Sequence, residues 1–363
     1  MTRPVRGMAG GLAMGAACLA LLSGCAGEKP APAAAGPGRA LVERTLPAVP
    51  DRAGWAADVY AGFKFLGISP TRRNVCAVVA VIEQESGFVA DPEVPGLPAI
   101  AWREIDERAA RAGVPQMVVH GVLKLESPGG RSYADRIDHA RTERDLSDVY
   151  EDFIGAVPMG RTLFADRNPI RTRGPMQVHV NFAEQFSARR PYPYPVQRSI
   201  ADEVFTRRGG VYFGIAHLLA YTAPYDRFLY RFADFNAGQY ASRNAAFQRA
   251  VSAAAGVDLV ADGALLPHDG TGQTELAVRA LAPRLGLDEA AAHDALEQGK
   301  TAEFEESLLY ERVFALAERN AKHSLPRAQV PAIQLHGPKL TRRLTTAWYA
   351  NRVNERFERC LNR

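Results

Sequence analysis

The chain has 363 residues, 47% of them hydrophobic and 23% charged, a globular composition that excludes disorder and collagen-like repeats. Its 44 Lys and Arg against 40 Asp and Glu leave a formal charge of +4, too small an excess on so long a chain for a dedicated nucleic-acid binder. A mean hydropathy of −0.18 with one apolar run near the N-terminus excludes a polytopic membrane protein.

The N-terminus reads as an export signal. Arg3 and Arg6 form a positive start, residues 7–22 are small and apolar, and Leu22-Ser23-Gly24-Cys25 follows. That ending resembles the lipobox of bacterial lipoproteins, in which the Cys receives lipid. The resemblance implies a signal peptide over 1–24 and a palmitate-type anchor on Cys25. With Ala26 rather than Asp next, it also implies the outer membrane, facing the periplasm. Residues 25–50 are rich in Ala, Pro and Gly and read as a flexible tether.

The folded part, 51–363, reads as helices. An amphipathic segment over 55–65 ends at Gly67. Ser69-Pro70 suits an N-cap and first position. Residues 75–82 (VCAVVAVI) are apolar on every side, as in a helix buried all round. This helix runs into Glu83-Gln84-Glu85-Ser86-Gly87-Phe88, where Gly87 can stop it. A Pro-rich loop spans 91–98, with helices expected over 100–113 and 114–125 and a charged one over 133–154. Gly174 opens a loop-to-helix transition, and Pro191-Tyr192-Pro193-Tyr194-Pro195 is an extended loop. Helices follow over 199–206, 210–222, 225–235, 245–255, 276–285, 288–299 and 302–322, with a last one over 341–361. No stretch shows β-alternation and no internal repeat is visible, so the class is mainly α.

The usual chemical signatures are absent from the sequence. None of the eight histidines stands at HxxxH spacing, which predicts no metal site. Gly299-Lys300-Thr301 lacks the upstream glycine of a P-loop, since Asp294 stands there. Cys76 lies among Val and Ala, where a thiol is inert. Two carboxylates at the end of the apolar helix stand out. Glu83 and Glu85 are about 200° apart at 3.6 residues per turn, so they do not share a face. Glu85 stacks above Val78, Val81 and Ile82, and such a surface disfavours the charged carboxyl, as a general acid requires.

Ile82-Glu83-Gln84-Glu85-Ser86-Gly87-Phe88 resembles the first box of the soluble lytic transglycosylases, enzymes with a goose-type lysozyme-like fold. In that family an apolar helix ends in a catalytic Glu followed by Ser-x-Phe. Gly174-Pro175-Met176-Gln177-Val178 resembles the family's Gly-Leu-Met-Gln box, with Pro175 for Leu. Gly210-Val211-x-x-Gly214-x-x-His217-Leu218 resembles its Asn-Ile-x-x-Gly-x-x-Tyr-Leu helix, with Gly210 and His217 replacing Asn and Tyr. Phe235-Asn236-Ala237-Gly238 resembles Tyr-Asn-Ala-Gly without the hydroxyl. Thr345-Thr346-x-x-Tyr349-x-x-x-Val353 resembles the closing Glu-Thr-x-x-Tyr-Val-x-x-Val.

The resemblance implies a mainly helical lysozyme-like domain with two helical insertions, at about 91–171 and 244–340. It implies Glu85 as catalytic acid, with Ser86, Met176, Gln177, Asn236 and Tyr349 binding substrate. The implied partner is peptidoglycan, cut between N-acetylmuramic acid and N-acetylglucosamine with a 1,6-anhydro product. No cofactor, metal or nucleic acid is implied. Two alternatives stand beside it. One is a hydrolytic muramidase with Asp91 or Glu93 as second carboxylate. The other is a non-catalytic peptidoglycan-binding or scaffold lipoprotein of the same fold, which Phe235 and the large inserts favour.

Cys18 would leave with the signal and Cys25 would carry lipid, so Cys76 and Cys360 are the remaining thiols in an oxidising compartment. If the family arrangement brings Tyr349 to Glu85, an antiparallel last helix places the two sulfurs at a similar level, and a Cys76–Cys360 disulfide is expected. The azimuth opposes it. Nine residues turn Cys76 about 180° from Glu85, so the last helix has to cross to that side.

Overall fold

The computed structural model describes residues 36–157, 159, 168–267, 270–335 and 342–363. The signal peptide and Cys25 lie outside the described residues. The chain is mainly α-helical. Its helices are α1 (Pro37–Thr45), α2 (Arg52–Leu66), α3 (Arg72–Glu85), α4 (Leu97–Arg111), α5 (Gln116–Leu123), α6 (Tyr133–Asp138) and α7 (Glu143–Ala156). A hairpin of β1 (Thr172–Arg173) and β2 (Val178–His179) comes next. Then follow α8 (Val180–Arg189), α9 (Ile200–Phe205), α10 (Arg207–Leu219), α11 (Phe228–Ala237), α12 (Ala241–Ala255), α13 (Gln273–Leu285), α14 (Glu289–Glu297) and α15 (Leu308–Ala321). A second hairpin, β3 (Gln334–Leu335) with β4 (Leu344–Thr345), leads into α16 (Thr346–Leu361). Both hairpins have two-residue strands, too short to show alternation in the sequence.

Three clusters of buried apolar side chains organise these helices. The largest joins α1, α2, α3, α10, α11 and α16, with α3 at its centre. Every residue from Val75 to Ile82 is fully buried, which explains the all-round apolar sequence of this helix. A second cluster joins α12 to α15 around Phe247, Val278, Phe304 and Phe314. A smaller third one joins α4 to α7 around Ala101, Tyr133, Ile137 and Val149.

Local chemistry shifts several expected boundaries. The expected tether over 25–50 contains α1, whose Val42 is fully buried in the largest cluster beside Leu46. Pro37 starts this helix, and Val42 and Leu46, four apart, give it an apolar stripe that the surrounding Ala, Pro and Gly conceal. The N-cap of α3 is Thr71 rather than Ser69, because the Thr71 hydroxyl accepts the Asn74 N–H at 3.2 Å. The charged helix expected over 133–154 is two helices. Thr142 and Asp145 form a capping box that starts α7 anew. The helix expected over 302–322 begins as a 3₁₀ turn (Ala302–Glu306) and restarts where Ser307 caps α15.

The loop that carries Gly174, Pro175 and Met176 lies directly on α10. A Cβ on Gly210 would sit 2.4 Å from Pro175 Cδ, and one on Gly214 would sit 2.2 Å from Met176 Sδ. The two glycines, four apart, form a shallow groove on one helix face, and the loop fills it. Their spacing is thus a packing requirement between two boxes far apart in sequence.

Cys76 and Cys360 form a disulfide with Cα atoms 5.5 Å apart. Tyr349 and Cys360, eleven residues apart, share a face of α16 within about 20°. Despite the opposed azimuths on α3, α16 reaches both positions, closing the disulfide at Cys76 and the Tyr349 hydrogen bond at Glu85.

Two outcomes follow. A chain beginning after Cys25 should show no free thiol when denatured without reductant, and Cys360→Ala should cost about 2–5 kcal/mol in chemical denaturation. Gly214→Ala should cost roughly 1–3 kcal/mol by overpacking Met176. Combined with Met176→Ala, the total loss should be smaller than the sum of the two single losses in a double-mutant cycle.

Candidate active site

The buried helix α3 ends at the candidate site. Its last turn closes through Ser86 N–H and Gly87 N–H, which both donate to the Ile82 carbonyl, at 3.0 and 3.1 Å. Gly87 and Phe88 both have positive φ, 59° and 67°. That conformation is costly for a Phe. Burial of its ring offsets the cost: Phe88 is 6% exposed and meets Trp55 edge-on at 5.2 Å. The chain therefore turns sharply just after Glu85, leaving that carboxyl at a helix end.

Glu85 is half-buried and accepts a hydrogen bond from the Tyr349 hydroxyl at 2.5 Å. Tyr349 is 5% exposed, and burial beside the Glu85 carboxylate pushes its hydroxyl far above the usual tyrosine range. It therefore stays a proton donor across the physiological range. Glu83 has a different setting. Its carboxylate faces Arg356, Arg359 and Arg363 of the chain's end, at 3.6, 3.3 and 3.6 Å. It is a structural counter-ion, and the two glutamates diverge as their helical spacing requires.

Asn236 is exposed at the last turn of α11, and its Oδ1 accepts from Thr346 Oγ1 at 2.8 Å. Thr346 lies one turn before Tyr349, so the Asn-Ala-Gly box and the closing box meet at the start of α16. Ser86 is half-buried and its hydroxyl donates back to the Ile82 carbonyl at 3.2 Å. Gln177 has positive φ, 50°, and its side chain is held on three sides. Oε1 accepts from Thr172 Oγ1 at 3.1 Å, while Nε2 donates to Glu143 Oε2 at 3.4 Å and to the Gly174 carbonyl at 3.3 Å. Glu143 opens α7, so the 91–171 segment reaches the Gln177 loop.

Met176 requires a correction. It is fully buried against Gly214 and has no surface to offer a substrate, so its work is packing. Of the other carboxylates considered, Glu93 is exposed and paired with Arg141 at 2.5 Å. Asp91 pairs with Arg144 at 3.3 Å, and burial raises its pKa. Among the described residues no group of three or more His, Cys, Asp or Glu is placed to hold a metal ion.

The sequence reading missed Asp234. It is wholly buried and accepts from Tyr221 and Tyr225 hydroxyls at 3.0 and 2.8 Å and from the backbone of Tyr240 and Ser242 at 3.0 and 2.6 Å. Burial raises its pKa and these donors oppose the rise. They tie the α10–α11 loop to the start of α12 and so fix the helix end that bears Asn236. An acid inside the apolar run Phe232-Ala233-Asp234-Phe235 was the available signal.

His217 and Phe235 pack ring to ring at 5.0 Å, and His217 Nε2 donates to the Phe235 carbonyl at 3.2 Å. The carbonyl can only accept, so Nδ1 carries the lone pair, buried without a partner. Burial lowers the His217 pKa to about 4.

Residues 48–363 match the family described as "Protein of unknown function (DUF1615)". The chain is 50% identical over 348 residues to the uncharacterized protein YaiW of Escherichia coli (strain K12), covering 94% of this chain and 95% of that protein. No solved structure matches.

The depressed His217 pKa has a consequence for stability. The unfolded chain binds this proton below about pH 6.5, whereas the folded chain resists it until about pH 4. The contribution is therefore complete above pH 6.5 and is lost as pH falls towards 4, to a limit of about 3 kcal/mol. Urea midpoints at pH 7 and 4.5 should fall more for the wild type than for His217→Asn.

Proposed function

This chain belongs to the DUF1615 family, and we propose that it is a lipid-anchored, periplasm-facing protein of the outer membrane with a lysozyme-like fold that cleaves peptidoglycan glycan strands. The observation that carries this reading is the Tyr349–Glu85 hydrogen bond at 2.5 Å. It joins the end of the buried helix to the closing box, 264 residues later. The Asn236–Thr346 bond supports the same reading by placing a third box one turn away.

The chemistry needs one carboxyl used twice. Protonated Glu85 donates to the glycosidic oxygen between N-acetylmuramic acid and N-acetylglucosamine as positive charge develops at C1. The resulting carboxylate takes the proton from the C6 hydroxyl of the muramoyl sugar. That oxygen bonds to C1 and closes the 1,6-anhydro ring, and the glutamic acid is restored. Tyr349 supports both stages: its hydrogen bond stabilises the carboxylate and holds its orientation. Asn236 offers its amide nitrogen, and Gln177 the remaining lone pair of its Oε1, to sugar hydroxyls and acetamido groups.

The competing reading is a peptidoglycan-binding lipoprotein without turnover. Its support is the His217–Phe235 pair, which leaves that corner without the two hydroxyls of the family boxes.

Digestion of purified sacculi tests both. Wild-type protein should release anhydro-muropeptides, Glu85→Gln should lose at least about a thousandfold, and Tyr349→Phe roughly 10–100-fold, with helical circular dichroism unchanged. Glu83→Gln should lower stability rather than turnover. Sacculus binding without release by the wild type would favour the non-catalytic reading. Reducing-end products would favour hydrolysis. Cys25→Ser should free the chain from outer-membrane fractions.

A further inference from the structure

A cleft of about 430 Å³ lies away from Glu85, between the α10–α11 loop and the second helical cluster. It shares no residue with the Glu85 site. Its walls include Tyr225, Tyr230 and Tyr310, and its charged residues are Asp226, Glu305 and Arg327. We propose that this cleft binds an alkylammonium group, as carried by a lysine-type side chain or a polyamine.

The rings supply the first argument. Tyr225 and Tyr230 meet at 59° with centroids 5.7 Å apart, so they form an angled wall, and Tyr310 stands on the helical-cluster side. Neither Tyr225 nor Tyr310 is free to swing away. The Tyr225 hydroxyl is held by Asp234 at 2.8 Å, and the Tyr310 ring is packed against Phe247 and Phe314 at 5.8 and 4.7 Å. Three tyrosine rings lining one small space offer a cation the attraction of their quadrupoles.

Charge supplies the second. Arg327 is already engaged: it stacks on Phe314 at 3.8 Å and donates to Glu318 at 2.7 Å. Asp226 is exposed and has no ion pair among the described residues. Glu305 is partly buried, with Arg243 at 3.7 Å. Arg243 also donates its terminal nitrogens to the carbonyls of Thr301 and Gly299, at 2.7 Å each, so Glu305 shares this cation with two carbonyl oxygens. Burial raises the Glu305 pKa and Arg243 opposes that rise, so a further cation beside Glu305 would favour its charged form. A guest ammonium group supplies that cation. An anion meets two carboxylates, and a neutral sugar leaves Glu305 as it was.

Calorimetric titration of the full chain tests this with three probes: Nα-acetyl-lysine N-methylamide, spermidine, and the neutral Nα-acetyl-norleucine N-methylamide. Both amines should bind and the neutral probe should bind at least about tenfold more weakly. The tighter of the two amines identifies a peptide or a polyamine as the source. Tyr230→Phe should retain affinity, whereas Tyr230→Leu and Asp226→Asn should each weaken it about two- to fivefold. Asp226 is an exposed loop residue, so its variant folds even if Tyr230→Leu does not. Equal binding of the neutral probe, no amine binding at about 10 mM, indifference to Asp226→Asn, or preference for a chito-oligosaccharide would overturn the proposal. The Glu85 activity stands or falls separately, because Glu85→Gln should leave amine binding intact.

Discussion

The antiparallel seam between α3 and α16 is the constraint on which the rest of the molecule depends. At one end it is closed by the Cys76–Cys360 disulfide, and at the other by the Tyr349–Glu85 hydrogen bond. Between them the apolar face of α16, with Ala350, Val353 and Phe357, covers the all-apolar surface of α3. A helix that is hydrophobic all round has no solvent face to fall back on, so it must be covered on every side. The same requirement brings α16 to the carboxyl at the helix end. Burial of α3 and assembly of the candidate site are thus one event.

Around that seam, two close approaches set position. Gly210 and Gly214 let the Pro175–Met176 loop sit on α10, which fixes where the neighbouring Gln177 emerges. The Asp234 network fixes the end of α11, where Asn236 meets Thr346. In both cases a buried residue one or two positions before a more exposed one does the positioning. Met176 and Asp234 are internal, while Gln177 is half-buried and Asn236 is exposed.

Periodicity and punctuation made most of the helical class legible. Residues 75–82 announced a buried helix because no polar residue interrupts them, and Gly67 and Gly87 marked real stops. The divergence of Glu83 from Glu85 was also legible, since it follows from helix geometry alone. Other features were not. Helix α1 was hidden by a composition that suits a tether, because one buried Val and one Leu decide its fate. The break at Thr142 depends on a reciprocal cap, which competes with a continuous charged pattern and wins locally. Met176 looked like a site residue because it lies in a box, yet packing and chemistry are written there in the same few letters. Asp234 was missed because its meaning lies in tyrosines and backbone donors that only the fold brings together.

The seam also dictates an order of events. Cys76 and Cys360 are separated by 284 residues, and the hydroxyl that meets Glu85 comes almost as late. As the chain emerges from N- to C-terminus, the most apolar helix is made early and its cover about 260 residues later. Loop-closure entropy weighs against so distant a contact, and topologies rich in such contacts fold slowly. The local clusters of α4–α7 and α12–α15 have short-range partners and can form meanwhile. The central core cannot close until Thr346–Leu361 has been made. The nascent chain therefore presents a sticky, unpaired surface until α16 is made, and a chain that loses this helix is left with an open core rather than a shortened but intact fold.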